Sequence, residues 1–275
     1  MRGGTARTTG WRRLAGASWR SPADPQFYGE LEVDATAILG YLNEVRAVHG
    51  VRATVTHAIG AAVARALSEV PELNVRLARG RMHPREGVDV FFIASVRGEL
   101  TGVKVVDANR KSLRQLACEV NRRLDELDRG DDPQLGRGKA MLARLPRVLV
   151  RPALRFAAWL TSDLNLDLSR IGLPRQAFGS AMITSVGRWG VSRAFSPLAA
   201  YYRVPVLVLV GAIEARPVVI GGEVTARLML TLTATFDHRY ADAGQAVRFA
   251  DAVRRYCADP GVYDPSTEYL RDSRR

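Results

Sequence analysis

Two periods organise the apolar positions of this chain. Tyr28 to Val33 (YGELEV) alternates in the period of a half-buried strand. Asp34 then caps a predicted helix that runs to about Val48 and stops at Gly50. From Thr54 to Val70 the period changes: Val55, Ile59, Val63 and Leu67 recur every fourth residue on one helical face, with Pro71 beyond the end. Val88 to Val96 (VDVFFIASV) is nearly continuous in apolar residues, the mark of a strand covered on both faces, and Leu100 to Val106 predicts its neighbour. Ser112 and Gln115 form the capping box of a helix ending near Leu127. Residues 128–139 are polar and Gly-rich, a predicted loop.

The second half is richer in strands. Ala181 to Ser185 leads into the Gly-rich turn Val186-Gly187-Arg188-Trp189-Gly190, and Val204 to Ile213 is the most apolar segment, expected at the centre of the sheet. Arg216-Pro217 and Gly221-Gly222 predict turns. Arg227 to Phe236 places Leu228, Leu230, Leu232, Ala234 and Phe236 on one face and threonines on the other. A helix from Ala243 to about Cys257 closes at Asp259-Pro260. Helices and strands interleave without strict βαβ repetition, which predicts one α/β domain around a mixed sheet. The expected organisation is an arm over 1–26, a domain over 27–265 and a tail over 266–275.

Composition narrows the function classes. No run reaches the roughly 18 to 20 apolar residues of a membrane span, and the Arg-rich N-terminus has no apolar stretch of a secretory signal. The net charge of +12 would suit an anionic partner. Lysine occurs only at 104, 111 and 139, so the charge reflects an arginine-biased composition, and with no binding motif visible, nucleic acid is not an expected partner. Cys118 and Cys257 lie far apart in helical segments and read as buried, reduced thiols of a cytoplasmic protein. No Cys/His cluster suggests a metal.

The chemistry concentrates at Phe236-Asp237-His238-Arg239-Tyr240-Ala241-Asp242-Ala243-Gly244, where a strand gives way to a helix. His238 is a candidate general base. Asp242 has two readings: support for the loop that carries His238, or the N-cap of the helix with Gln245 as its box partner, the latter favoured. His49, His57 and His83 read as structural or surface residues. Between 144 and 160, Arg144, Arg147, Arg151 and Arg155 share a helical face, and Pro152 should kink or interrupt the helix. This segment reads as a helix packed on the domain with its arginines in water, as a peripheral membrane contact, as a binder of phosphates, or as the lining of an opening for a long acyl chain.

Taken together, VKVVDANRKSLRQLACEV, GSAMITSVGRWGV, VPVLVLVGAIEARPVVIGGEV and FDHRYADAGQAVRFADAVRRYCADP resemble, in order, the acyltransferase core of 2-oxoacid dehydrogenase complexes, which shares its fold with chloramphenicol acetyltransferase. The likeness spans about 27–130 and 178–262 and leaves an insertion at about 140–178. It implies a two-layer α/β sandwich with a mixed sheet, a homotrimer, and coenzyme A, as an acyl thioester, for a substrate. It also implies site residues: His238 as base, Asp242 as loop anchor and Thr184 as oxyanion donor, with His238 and Thr184 meeting across a subunit interface. Ser185 would face away from Thr184. Ala243 stands where the family motif His-x-x-x-Asp-Gly has glycine, and no lipoyl-bearing segment precedes the core in this sequence.

The expected activity is acyl transfer from coenzyme A to a hydroxyl, amine or thiol on a small hydrophobic acceptor. The alternative is a non-catalytic trimeric scaffold, or a membrane-surface binding protein, built on the same fold.

Overall fold

The computed structural model describes residues 24–132, 136, 138, 141, 144–199 and 201–264. Most of the expected arm, all of the expected tail and parts of the loop at 128–139 lie outside the described residues. In chain order the elements are β1 (Gln26–Asp34), α1 (Thr36–His49), α2 (Val55–Glu69), β2 (Val75–Ala78), β3 (Arg81–Pro84), β4 (Val90–Val96), β5 (Glu99–Val105), α3 (Leu113–Asp128), α4 (Arg147–Ala158), β6 (Ala181–Ser185), β7 (Val206–Ile220), β8 (Glu223–Asp237), α5 (Ala243–Ala258) and the short α6 (Pro260–Tyr263).

Six strands form one mixed sheet in the order β1–β8–β7–β6–β4–β5. β6 runs parallel to both β4 and β7; the other pairings are antiparallel. Period-two alternation divides β7 between two cores. Val206, Val208 and Val210 join the main core under α1, α2, α3 and α5, whereas Leu207 packs with Phe91 and Met182 on the opposite face. That second face is covered by the inserted segment and by the chain before β7. The threonine face of β8 is likewise buried, and Thr233 and Thr235 donate their hydroxyls to the carbonyls of Ala194 and Ser196.

Local chemistry fixes the helix ends. Ser112 with Gln115 and Asp242 with Gln245 form complete capping boxes, as does Thr54 with His57. Asp34 acts one residue further out than expected, accepting from the Thr36 N–H at 2.8 Å, while Ala35 occupies the N-cap. The insertion is tied down by cations from the domain: Arg76 donates to the carbonyls of Ser162 and Asp163, and Lys104 to those of Arg175 and Gln176.

Three expectations are corrected. Pro217 is not in a turn but inside β7, opposite Ala226. β6 accompanies β7 only as far as Val210, and a proline is tolerated where one strand edge has no ladder to serve. Pro152 does not interrupt α4, which continues to Ala158 before a π-helical turn at Trp159–Asp163. Pro152 is solvent-exposed, so water can satisfy the carbonyl that loses its N–H partner. Cys118 is exposed; only Cys257 is buried, and burial pushes its thiol up to about 12.

Candidate active site

Thr184 lies one residue from the C-terminal end of β6 and is half-buried in a groove of about 1360 Å³. Its walls are the C-terminal ends of β4 and β6, the bulged middle of β7, the start of α2 and the end of α3. Crevices outside the carboxyl ends of strands are the usual binding places of open α/β sheets. The Thr184 hydroxyl makes no hydrogen bond to another described residue, and Thr184 is one of the residues lining this space. Ser185 faces the other side of the strand, as expected, but the groove runs past the strand end and touches both residues.

Backbone contact shapes the turn after Thr184. A Cβ on Gly187 would sit 2.5 Å from the Gly211 carbonyl oxygen, and one on Gly211 would overlap the Ser192 carbonyl. The two glycines let the turn pack main chain to main chain against the bulge of β7. The mouth of the groove carries the exposed guanidinium groups of Arg52, Arg97 and Arg188 beside Asp125 and Asp128. Arg97 approaches Asp128 at 3.9 Å and Arg188 stacks on Trp189. Sequence reasoning missed this cluster, since three isolated arginines from distant segments leave no signal in an arginine-rich chain.

His57 also lines the groove. It is buried, and its Nδ1 accepts from the Thr54 backbone N–H at 3.1 Å. Burial, with a smaller contribution from Arg52, brings its pKa down to about 4, so it is neutral at physiological pH and serves the helix end.

His238 follows the last residue of β8 and is exposed. Its N–H donates to the Pro25 carbonyl at 2.7 Å, and its ring packs 5.1 Å from that of Phe27. On either side, Asp237 is buried and holds the Arg239 guanidinium through both carboxylate oxygens, which clamps the backbone around the imidazole. Asp242 accepts from the Gly244 N–H at 2.8 Å, and its own N–H donates to the Gln245 side chain at 2.9 Å. No hydrogen bond joins Asp242 to His238 among the described residues; the observed role is the cap.

Within one protomer, His238 and Thr184 do not meet. Thr184 pairs with Leu209 and Leu209 with Thr233, five residues before His238. That register places them roughly 17 Å apart along the strands and about 10 Å apart across them, at opposite ends of the sheet.

A family model described as "2-oxoacid dehydrogenases acyltransferase (catalytic domain)" matches residues 9–131 and 174–263. The chain belongs to this acyltransferase catalytic-domain family. The dihydrolipoyllysine-residue acetyltransferase component of the pyruvate dehydrogenase complex of Zymomonas mobilis is 24% identical over 239 residues, which cover 86% of this chain and 45% of that protein. A probable succinyltransferase component of the 2-oxoglutarate dehydrogenase complex of Schizosaccharomyces pombe is 34% identical over 125 residues, 42% of this chain and 27% of that protein. The chain thus spans less than half the length of these relatives. Among solved structures, a probable dihydrolipoamide acetyltransferase of Listeria monocytogenes superposes with a TM-score of 0.65 at 20% identity, over 94% of this chain and 95% of that one. Chloramphenicol acetyltransferase does so with a TM-score of 0.51 at 15% identity, over 85% and 89%. The fold is the chloramphenicol acetyltransferase-like α/β fold of the acyltransferase cores.

Ala243, at the place of the family motif's glycine, takes the first position of α5 and is not among the residues with positive φ, so its own backbone conformation is one that alanine adopts without strain. Residues 132–173, left unmatched by the family model, include α4 and the π-helical turn.

Proposed function

We propose that this protein transfers an acyl group from a coenzyme A thioester to a hydroxyl, amine or thiol acceptor, with His238 of one subunit working against Thr184 of the next in a homotrimer. The observation that carries this reading is the placement of the two groups. Each faces solvent or an open groove at its own end of the sheet, as two halves of an interfacial site would. The acceptor's proton passes to a ring nitrogen of His238 as its heteroatom attacks the thioester carbonyl. The Thr184 hydroxyl donates to the oxyanion that forms. When the C–S bond breaks, the thiolate of coenzyme A recovers the proton from the imidazolium. Arg52, Arg97 and Arg188 supply guanidinium donors of the kind that bind phosphate groups. Support for subunit association comes from the β7–β8 hairpin, whose projecting end exposes Val219, Ile220 and Val224.

The test is steady-state transfer from acetyl- and longer acyl-coenzyme A to a panel of alcohols, amines and dihydrolipoamide. His238→Ala should lower turnover by about 10² to 10⁴ and Thr184→Val by about 10² to 10³, with unchanged oligomer size. Full turnover in His238→Ala would end this reading.

A second reading concerns the outer face of α4. Val148, Leu149, Phe156 and Trp159 are exposed there beside Arg147, Arg151 and Arg155, and the Phe156 and Trp159 rings stack at 5.8 Å. An apolar stripe flanked by cations suits peripheral contact with an anionic membrane surface. No described helix is long and apolar enough to cross a membrane. Flotation with phosphatidylglycerol vesicles tests it: wild type should float, and Phe156→Ser/Trp159→Ser should not.

A further inference from the structure

The insertion covers an open-sided pocket on the sheet. Between α4 and the outer face of β4 and β6 lies a pocket of about 310 Å³. Its floor is Phe91 and Met182, its roof Leu154 and Ala157, and Phe178 with Tyr202 closes one side. Among the described residues, no charged side chain lines it. The Thr161 hydroxyl in its wall is already committed, donating to the Ala157 carbonyl at 2.9 Å. Burial, and then a hydrogen bond with Tyr202, hold the Tyr201 phenol well above its usual range. Thr101 and Ser162 add two more hydroxyls to an otherwise apolar wall, too few to replace the hydration that a sugar, nucleotide or carboxylate would lose here. An aliphatic chain loses nothing, and the size falls at the lower end of small-ligand sites.

The position of the pocket connects it to the chemistry. Met182 and Thr184 project from the same face of β6, two residues and about 7 Å apart. Ile93 and Leu100 belong to the walls of both the pocket and the Thr184 groove. A chain attached to a group held at Thr184 has a continuous apolar path over Ile93 and Leu100 into the space beneath α4. The roof residues come from the part of the chain that the family model does not match.

We propose that this pocket binds the unbranched aliphatic chain of a medium-to-long-chain substrate, so that the insertion sets chain-length preference. The proposal rests on the acyl-transfer reading only in deciding which molecule carries the chain. Ala153 and Ala157 also line the cavity, and a phenyl group on either would obstruct it.

The experiment is calorimetric titration of the full chain with coenzyme A, then acetyl-, butyryl-, octanoyl- and dodecanoyl-coenzyme A, and with the four-, eight- and twelve-carbon primary alcohols and amines in saturating coenzyme A. Affinity along one of the two series should rise about fourfold per methylene until the pocket is full. A rise along the thioesters assigns the chain to the donor; a rise only with the alcohol or amine assigns it to the acceptor. Ala157→Phe should abolish the chain-length dependence and leave the coenzyme A affinity unchanged. Ala153→Phe serves as the second variant, and circular dichroism verifies that each is folded. Chain-length-independent binding in both series, or an undiminished dependence in both folded variants, overturns the proposal. His238→Ala separates the two ideas: it should stop transfer and keep the chain-length dependence of binding.

Discussion

Thr184 and His238 stand five register positions and two strands apart, because β6 and β8 run antiparallel and present their C-terminal ends to opposite ends of one sheet. No rotation of either side chain closes a gap of that size. If both act on one substrate, they must come from different subunits. Mixing inactive Thr184→Ala with inactive His238→Ala, unfolding and refolding them together, should therefore restore a substantial fraction of wild-type transfer. Refolded separately, each should stay inactive. Failure of the mixture to recover activity while mixed oligomers form would place the site within one protomer.

Asp242 separates structure from chemistry. Asp242→Ala removes the acceptor for the Gly244 N–H and should cost about 1 kcal/mol of stability. Asp242→Asn keeps a capping oxygen and should retain both the melting temperature and turnover. A folded Asp242→Asn enzyme with turnover reduced 100-fold would instead make the carboxylate charge part of the machinery.

His57 gives stability a pH dependence. Its folded-state pKa of about 4 lies below the ordinary 6.5, so the unfolded chain binds the extra proton. Its contribution is complete above about pH 6.5 and declines as the pH falls toward 4, by about 2 to 3 kcal/mol at pH 4.5. His57→Gln retains a capping-box side chain without the titration. Urea unfolding between pH 7 and 4.5 should show a visibly shallower loss in this variant.

Gly211 has no room for a methyl group, because the obstacle is the Ser192 main chain and not a flexible side chain. Gly211→Ala should destabilise the protein by about 1 to 3 kcal/mol or more and displace the turn that follows Thr184. Chemical denaturation together with the KM for acyl-coenzyme A measures both effects.

Features that depend on near neighbours in sequence were legible from the residues alone. The boxes Ser112–Gln115 and Asp242–Gln245 need only four consecutive residues, and both are present. The leucine and threonine faces of β8 follow from period two, and the threonine face is buried under the segment before β7. The prolines misled, since whether Pro217 or Pro152 breaks an element depends on which edge or face lacks a neighbour, a tertiary fact. Thr184 was found through resemblance and not through pattern, because a threonine in a strand carries no signal of its own. Neither cavity was visible. The Thr184 groove draws its walls from segments more than 100 residues apart, from Arg52 to Ile213, and the pocket under α4 exists only where the insertion lies back on the sheet.

The opposed placement of the two groups also bears on assembly. A unit that carries its two working ends on different surfaces is suited to join its neighbours head to tail, through unlike patches, as the proposed trimer would. On the proposed reading, a closed ring leaves no catalytic half idle, whereas an open string always wastes one at each terminus. Activity per subunit then becomes a measure of ring closure, and dilution below the association threshold should extinguish catalysis before it unfolds the chain.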